Sequence, residues 1–158
     1  MQIADIDLAL AECENVIKQV NAQGTKLETY LVGYLLVLMS SCFQIEIRNI
    51  VTNTLSLSAA DLRVRNYIEK SLMRYFQSVQ IESMEKLLGF FGEERKLKFK
   101  KSLKSNPQSR QASALYSNII TNRHATAHSI GPQMTFNDLK NAYSKGHVVL
   151  DYFVAALV

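Results

Sequence analysis

"TYLVGYLLVLMSSCFQI", residues 29 to 45, carries no charged side chain, and what surrounds it decides the fold. Such a run serves either as a membrane span or as the core helix of a helical domain. It is shorter than the roughly 20 apolar residues that cross a bilayer. Ser40, Ser41 and Gln44 lie in its second half, and Glu28 and Glu46 close it at both ends. We therefore read it as a central helix buried nearly all round, and not as a membrane span. Tyr30, Tyr34 and Phe43 are expected to supply core area, because buried helices use aromatic rings for that purpose.

Working outward, Ile3, Ile6, Leu10, Cys13, Ile17 and Val20 recur at helical spacing, and the stretch 21–24 ends that first helix. The central helix runs from about residue 26 to 52, where "NTLSLS" (53–58) breaks it. Ser58 is placed as an N-cap, with Asp61 in the first turn of a third helix reaching Gln77 or beyond. Ile81, Met84, Leu87 and Leu88 continue helically to Gly89. A short charged helix follows, with a loop at Asn106-Pro107. The next helix spans about 109–129 and stops at Gly131-Pro132. Thr135 with Asp138 resembles a capping box, and the last helix runs from there to the C-terminus. No segment alternates as a half-buried strand does. The expectation is an all-α, compact bundle of five to six helices forming one domain over residues 1–158.

The chain is 47% hydrophobic and 20% charged, an ordinary globular balance. A formal net charge of +4 and a pI near 9.1 permit a nucleic-acid partner without demanding one. Cys13 and Cys42 form no CxxC pair and no secretory n-region opens the chain, so a reducing, cytoplasmic setting is expected. Much of the positive charge falls in "RKLKFKKSLK", residues 95–104. Lys98, Lys100, Lys101 and Lys104 there suit either a phosphate-contacting ridge or a solvated helix end. Arg63, Arg65 and Arg74 admit the same two readings. His147 has no partner visible in the sequence.

The stretch "NRHATAH", residues 122–128, holds an arginine and two of the three histidines. His124 and His128, four apart, share a helix face. Arg123 and His128 are about 140° apart on an ideal helix and converge more easily if the last turn loosens. Three chemistries compete. A metal site would start from the H-x-x-x-H pair but needs further ligands, and Ala125 stands where HExxH has its glutamate. Nothing in the spacing brings His147, Cys13, Cys42 or Glu46 to that pair, so no metal and no cofactor is expected. A structural role would pair Arg123 with a carboxylate and leave the histidines hydrogen-bonded or exposed. RNA cleavage would use a histidine, whose ordinary pKa of about 6.5 suits proton transfer. The arginine would supply a permanent two-point cation for the phosphorane. A two-fold dimer would bring two of each to one cleft.

"RHATAH", residues 123–128, resembles the R-φ-x-x-x-H signature of the HEPN superfamily, in which φ is Asn, Asp or His. The run "SALYSNIITNRHATAHSIGPQMTFNDLKNAYSKGHVVLDYFVAAL" (113–157) is similar to the C-terminal half of small prokaryotic HEPN proteins, the RiboL-PSP-type groups in particular. "SSCFQIEIRNIV" (40–51) is similar to the helix carrying an FE-x-x-I-R-like element, here with Phe43-Gln44-Ile45-Glu46. The resemblance implies an α-helical, metal-independent endoribonuclease acting on RNA as a homodimer, with its motif helices at the interface. By that resemblance Arg123 holds the scissile phosphate and His128 transfers protons. His124 orients the pair or the substrate, Glu46 pins Arg123, and Asn122 is a supporting residue. A toxin or antiphage defence effector fits this class, with an antitoxin or effector protein as a further partner. The alternative is a non-catalytic HEPN module that binds a nucleotide or a partner subunit.

Overall fold

Helix α1 (Gln2–Gln19) forms where Ile6, Leu10, Cys13 and Ile17 return on one stripe, and all four are buried. The computed structural model describes residues 2–58, 61–128 and 131–158. The side chain of Ile3 lies outside the described residues, and Val20, just past the helix end, is exposed. The chain then turns through Asn21 and Gly24, both at positive φ. Next come α2 (Lys26–Ser58), α3 (Leu62–Tyr75), α4 (Ile81–Gly89), α5 (Glu93–Lys104), α6 (Pro107–Ala127), α7 (Phe136–Gly146) and α8 (Val149–Leu157). The all-α class is as expected. The helix number is corrected to eight among the described residues, against five to six.

The division of the C-terminal helix adds to that number, and several boundaries also fall elsewhere than expected. Helix α2 does not break at residues 53–58; it runs through them to Ser58, a 33-residue rod roughly 50 Å long. Leu55 packs against the core and carries the helix on. The N-cap of α3 is accordingly Asp61, whose carboxylate accepts from the Arg63 N–H at 2.8 Å, and not Ser58. Asn106-Pro107 is a helix start rather than a loop: Asn106 Oδ1 accepts from the Ser109 N–H at 2.8 Å and Pro107 occupies the first turn. The expected end of α6 at Ser129 lies outside the described residues; Ala127 is its last helical residue. The C-terminal helix is divided into α7 and α8 at residues 147–148.

One hydrophobic core draws on all eight helices. Its centre is Phe43 of α2 stacked on Tyr116 of α6, with ring centroids 5.4 Å apart. Phe99 of α5 meets Phe153 of α8 edge-on at 6.0 Å. Residues Lys26–Leu55 are long and apolar enough to cross a membrane by length and composition. Here Val32, Leu35, Leu36, Met39, Phe43 and Ile47 of that helix are buried against its neighbours. It is not buried all round, however. Phe43 is core as expected, but Tyr30 is 70% and Tyr34 55% exposed. With Leu27 and Val37 they step at three- and four-residue intervals along the face opposite the core stripe.

Three polar ties hold helix ends or join helices. Glu28 accepts from the Gly24 N–H at 2.6 Å and from the Phe136 N–H at 2.9 Å, so one carboxylate serves the starts of both α2 and α7. Thr135 and Asp138 form the expected capping box at α7. Glu14 of α1 bonds both Lys140 of α7, at 2.6 Å, and Lys18. These ammonium partners hold its carboxyl well below the ordinary 4.5, at about 2.

Helices α6 and α7 cross closely at Gly146, where an added Cβ would sit 2.9 Å from the Tyr116 backbone nitrogen. Gly146→Ala is expected to destabilise the fold by about 1–3 kcal/mol, measured by urea denaturation. The Glu14 tie stabilises the fold fully above pH 4.5, and that contribution is lost as pH falls towards 2. The stability gap between wild type and Glu14→Gln is thus expected at neutral pH and should close over that interval.

Candidate active site

The face of α6 that carries Ala112, Tyr116, Ile119 and Ile120 is buried, which leaves Arg123 and His124 at the edge of the core on the last two turns. Helix α6 passes close to α2 where Gly33 faces Thr126; a Cβ on that glycine would meet Thr126 Cγ2 at 3.2 Å. Beyond the crossing, the two helices and the α3–α4 connector enclose a small cleft of about 60 Å³. Ser40, Ser41 and Gln44 of α2 form one wall, Ile120, Arg123 and His124 of α6 another, and Gln77, Ser78 and Val79 the third. A volume that small takes a few water molecules or a phosphate's oxygens rather than a nucleobase.

The connector wall is anchored from both helices. The buried hydroxyl of Tyr116 donates to the Val79 carbonyl at 2.8 Å. Burial raises the phenol's pKa far above its ordinary value, so it stays a donor. From α2, Gln44 Nε2 at 3.2 Å and Arg48 Nη2 at 2.8 Å both donate to the Phe76 carbonyl. The Nε of Arg48 is buried with no hydrogen-bond partner among the described residues.

Arg123 Nη1 lies 3.5 Å from His124 Nδ1, and His124 Nε2 lies 3.4 Å from the side-chain amide of Gln80. Both neighbours present donor nitrogens, and a neutral imidazole accepts at only one of its two, so the tautomer decides whether Arg123 or Gln80 is the donor. Among the described residues no ion pair joins Arg123 or Arg48 to a carboxylate. A guanidinium without an ion pair on the wall of a polar cleft is chemically suited to an anion. Arg123 is half-buried, which fixes its fork more firmly than a surface position would.

His128 ends α6 as its C-cap and is exposed. Its N–H is shared between the His124 carbonyl at 3.1 Å and the Ala125 carbonyl at 3.2 Å, so the helix departs from regular α geometry there. The structure brings Arg123 and His124 together on the cleft; His128 stands off its wall. Asn122 is buried and takes a structural part. Its Oδ1 accepts from the Gln133 N–H at 2.7 Å and its Nδ2 donates to Asn118, fastening the segment after the motif to α6.

Glu46 is not brought to Arg123. It lies about 200° around α2 from Gln44, on the other side of the helix. The resemblance-based pin is absent among the described residues, and Gln44 and Arg48 occupy the cleft side instead. The basic ridge is also distant. Lys104 lies beside the start of α6, so Arg123 is roughly 24 Å further along that helix. Lys100 pairs with Glu85 at 3.2 Å, while Lys98, Lys101 and Lys104 are exposed. Arg63 pairs with Asp61, and Arg74 lies 5.5 Å over the Tyr75 ring. Among the described residues no three His, Cys, Asp or Glu side chains gather as a metal site. Cys13 and Cys42 are buried apart from the motif, and His147 Nδ1 donates to the Tyr143 carbonyl at 2.9 Å.

Gln44, Arg48, Gln77 and Ser78 were not anticipated. For the first two a signal existed: with Ser40 and Ser41 they form a polar strip at helical spacing inside an apolar run. The connector residues carry no comparable pattern.

The motif, the all-helical fold and the arginine-lined cleft define a HEPN-class domain. The family model described as RiboL-PSP-HEPN matches residues 2–158, and the chain belongs to that family. The searches of curated proteins and of solved structures found no match. Membership points broadly to nuclease or nucleotide-related function.

The connector makes Tyr116→Phe informative. Removing the hydroxyl strands a buried carbonyl, and a loss of about 1–3 kcal/mol is expected in urea denaturation.

Proposed function

We propose that this protein is a metal-independent endoribonuclease whose phosphate-binding centre is the cleft at Arg123. The observation that carries this reading is the guanidinium itself: half-buried, with no carboxylate partner among the described residues, on a polar cleft of phosphate size. In the reaction a base takes the proton of the RNA 2′-hydroxyl, and the 2′-oxygen attacks the adjacent phosphorus. The bond from phosphorus to the 5′-oxygen breaks, and an acid protonates the departing oxygen. The products are a 2′,3′-cyclic phosphate and a 5′-hydroxyl. Arg123 binds the non-bridging oxygens as charge builds, His124 orients the guanidinium, and His128 transfers a proton.

A single chain holds His128 off the cleft wall, and a homodimer is the assembly we propose to complete the site. The exposed strip of Leu27, Tyr30, Tyr34 and Val37 supports this. It continues at the same spacing into Ser41 and Gln44 of the cleft, so an apolar face adjoins the motif. A two-fold axis there would set each strip against its copy and bring a second His128 near. As a cytoplasmic RNase the protein would act as a toxin or defence effector, held in check by an antitoxin or effector partner. The second reading, a binding module without catalysis, is favoured by the position of His128; it predicts RNA binding that His128→Ala leaves intact, with no cut products.

Purified wild-type protein is expected to cleave RNA in EDTA. Arg123→Ala and His128→Ala should each lose roughly 10²- to 10⁴-fold in rate, and Arg123→Lys should fall between, keeping the charge but not the fork. Activity abolished by EDTA, or undiminished in both alanine variants, would refute the proposal.

A further inference from the structure

A cleft of about 60 Å³ takes a phosphate but no base, so the nucleosides on either side must lie elsewhere. A groove of about 720 Å³ between α3 and α4 adjoins it, within the range of nucleotide-sized ligand pockets at roughly 300–1,000 Å³. Gln77 and Ser78 line both cavities, so the connector is a shared wall rather than a divider between unrelated sites.

The groove's composition is unusual for a protein surface. Tyr67 is 73%, Tyr75 71% and Phe90 78% exposed, three rings presented to solvent around one depression. The one charged side chain lining it is Lys86, which makes no ion pair among the described residues. Arg74, outside the lining, holds its guanidinium 5.5 Å from the centre of the Tyr75 ring, which puts a second cation beside one of the groove's rings. Serine hydroxyls at Ser71 and Ser83 offer hydrogen bonds within the apolar lining. Exposed rings, bordering cations and scattered hydroxyls are the means by which proteins hold unpaired bases: stacking is tolerant of sequence, and cations follow the backbone.

We infer that the α3–α4 groove is the base-binding subsite of the RNA substrate, holding single-stranded nucleotides next to the phosphate that sits at Arg123. This rests on the cleft being the phosphate site. The strand would pass over Gln77 and Ser78, with bases stacked on Tyr75, Tyr67 and Phe90 and a phosphate near Lys86. The substrate is therefore unpaired RNA; a rigid duplex keeps its bases stacked on each other and cannot offer them to the rings.

The test measures binding and cleavage of a fluorescently labelled single-stranded 12-nucleotide RNA. Tyr67→Ala, Tyr75→Ala and Phe90→Ala are compared with wild type, Tyr67→Phe and Tyr75→Phe, each checked for folding by circular dichroism. Each alanine variant should weaken binding roughly 5- to 150-fold, while the phenylalanine variants stay near wild type. An abasic oligonucleotide should bind wild type as weakly as the intact one binds the alanine variants. A fully paired duplex should be cut far more slowly. If wild type cuts the RNA in an Arg123-dependent way and the three alanine variants bind and cut equally well, the groove inference alone is overturned, and the groove is left to an apolar segment of a partner protein. If wild type neither binds nor cuts RNA, the reading of the cleft falls with it.

Discussion

The buried hydrogen bond from Tyr116 to the Val79 carbonyl ties the motif helix to the connector between α3 and α4, and the geometry of the site depends on it. Tyr116 lies two turns before Arg123 on the same helix, so whatever fixes the ring also fixes the height of the guanidinium. Phe43 stacks on one face of that ring, and the Gly146 backbone closes over its main chain. The connector cannot drift from Arg123 without stranding a carbonyl in an apolar core. The bonds of Gln44 and Arg48 to Phe76 set its other end. The third wall of the cleft is irregular backbone, yet it is held as firmly as the two helices.

Helix α2 does two jobs with opposite faces. Its apolar stripe is the main support of the core. Its other face begins apolar, at Leu27, Tyr30, Tyr34 and Val37, and becomes polar at Ser40, Ser41 and Gln44 where it meets α6. About two turns before that change, Gly33 faces Thr126, and the missing side chain lets the two backbones approach. A helix hydrophobic enough to pass for a membrane span is thus explained by two demands on one rod: a core to cover on one side and an apolar face to present on the other.

Much of this was legible in the sequence. Periodicity gave the helical class, and the Thr135–Asp138 spacing gave its cap, because both depend on local geometry. The motif residues stood out through charge in an apolar context. Periodicity alone does not tell the core face of α2 from its exposed apolar face, since both read as hydrophobic, and so it points Tyr30 and Tyr34 to the core although both are exposed. Glu46 was assigned by resemblance, and the helical phase sets it opposite Gln44. The connector had no signature at all. Its residues matter through carbonyl oxygens, at Phe76 and Val79, which every residue type possesses.

The proposed chemistry makes a specific demand: the attacking nucleophile would belong to the substrate. With Arg123 as the cation and His128 as the proton-transfer group of that proposal, an RNA that lacks the attacking oxygen should be inert even when fully bound. The most direct measurement places a single 2′-deoxynucleotide immediately 5′ of a cleaved phosphate and assays it in EDTA beside the all-ribose strand. No cut is expected at that phosphate, with undiminished affinity, and 2′,3′-cyclic phosphate with 5′-hydroxyl ends is expected from the unmodified strand. Cleavage at the deoxy position, or products ending in a 3′-hydroxyl, would contradict the proposed chemistry.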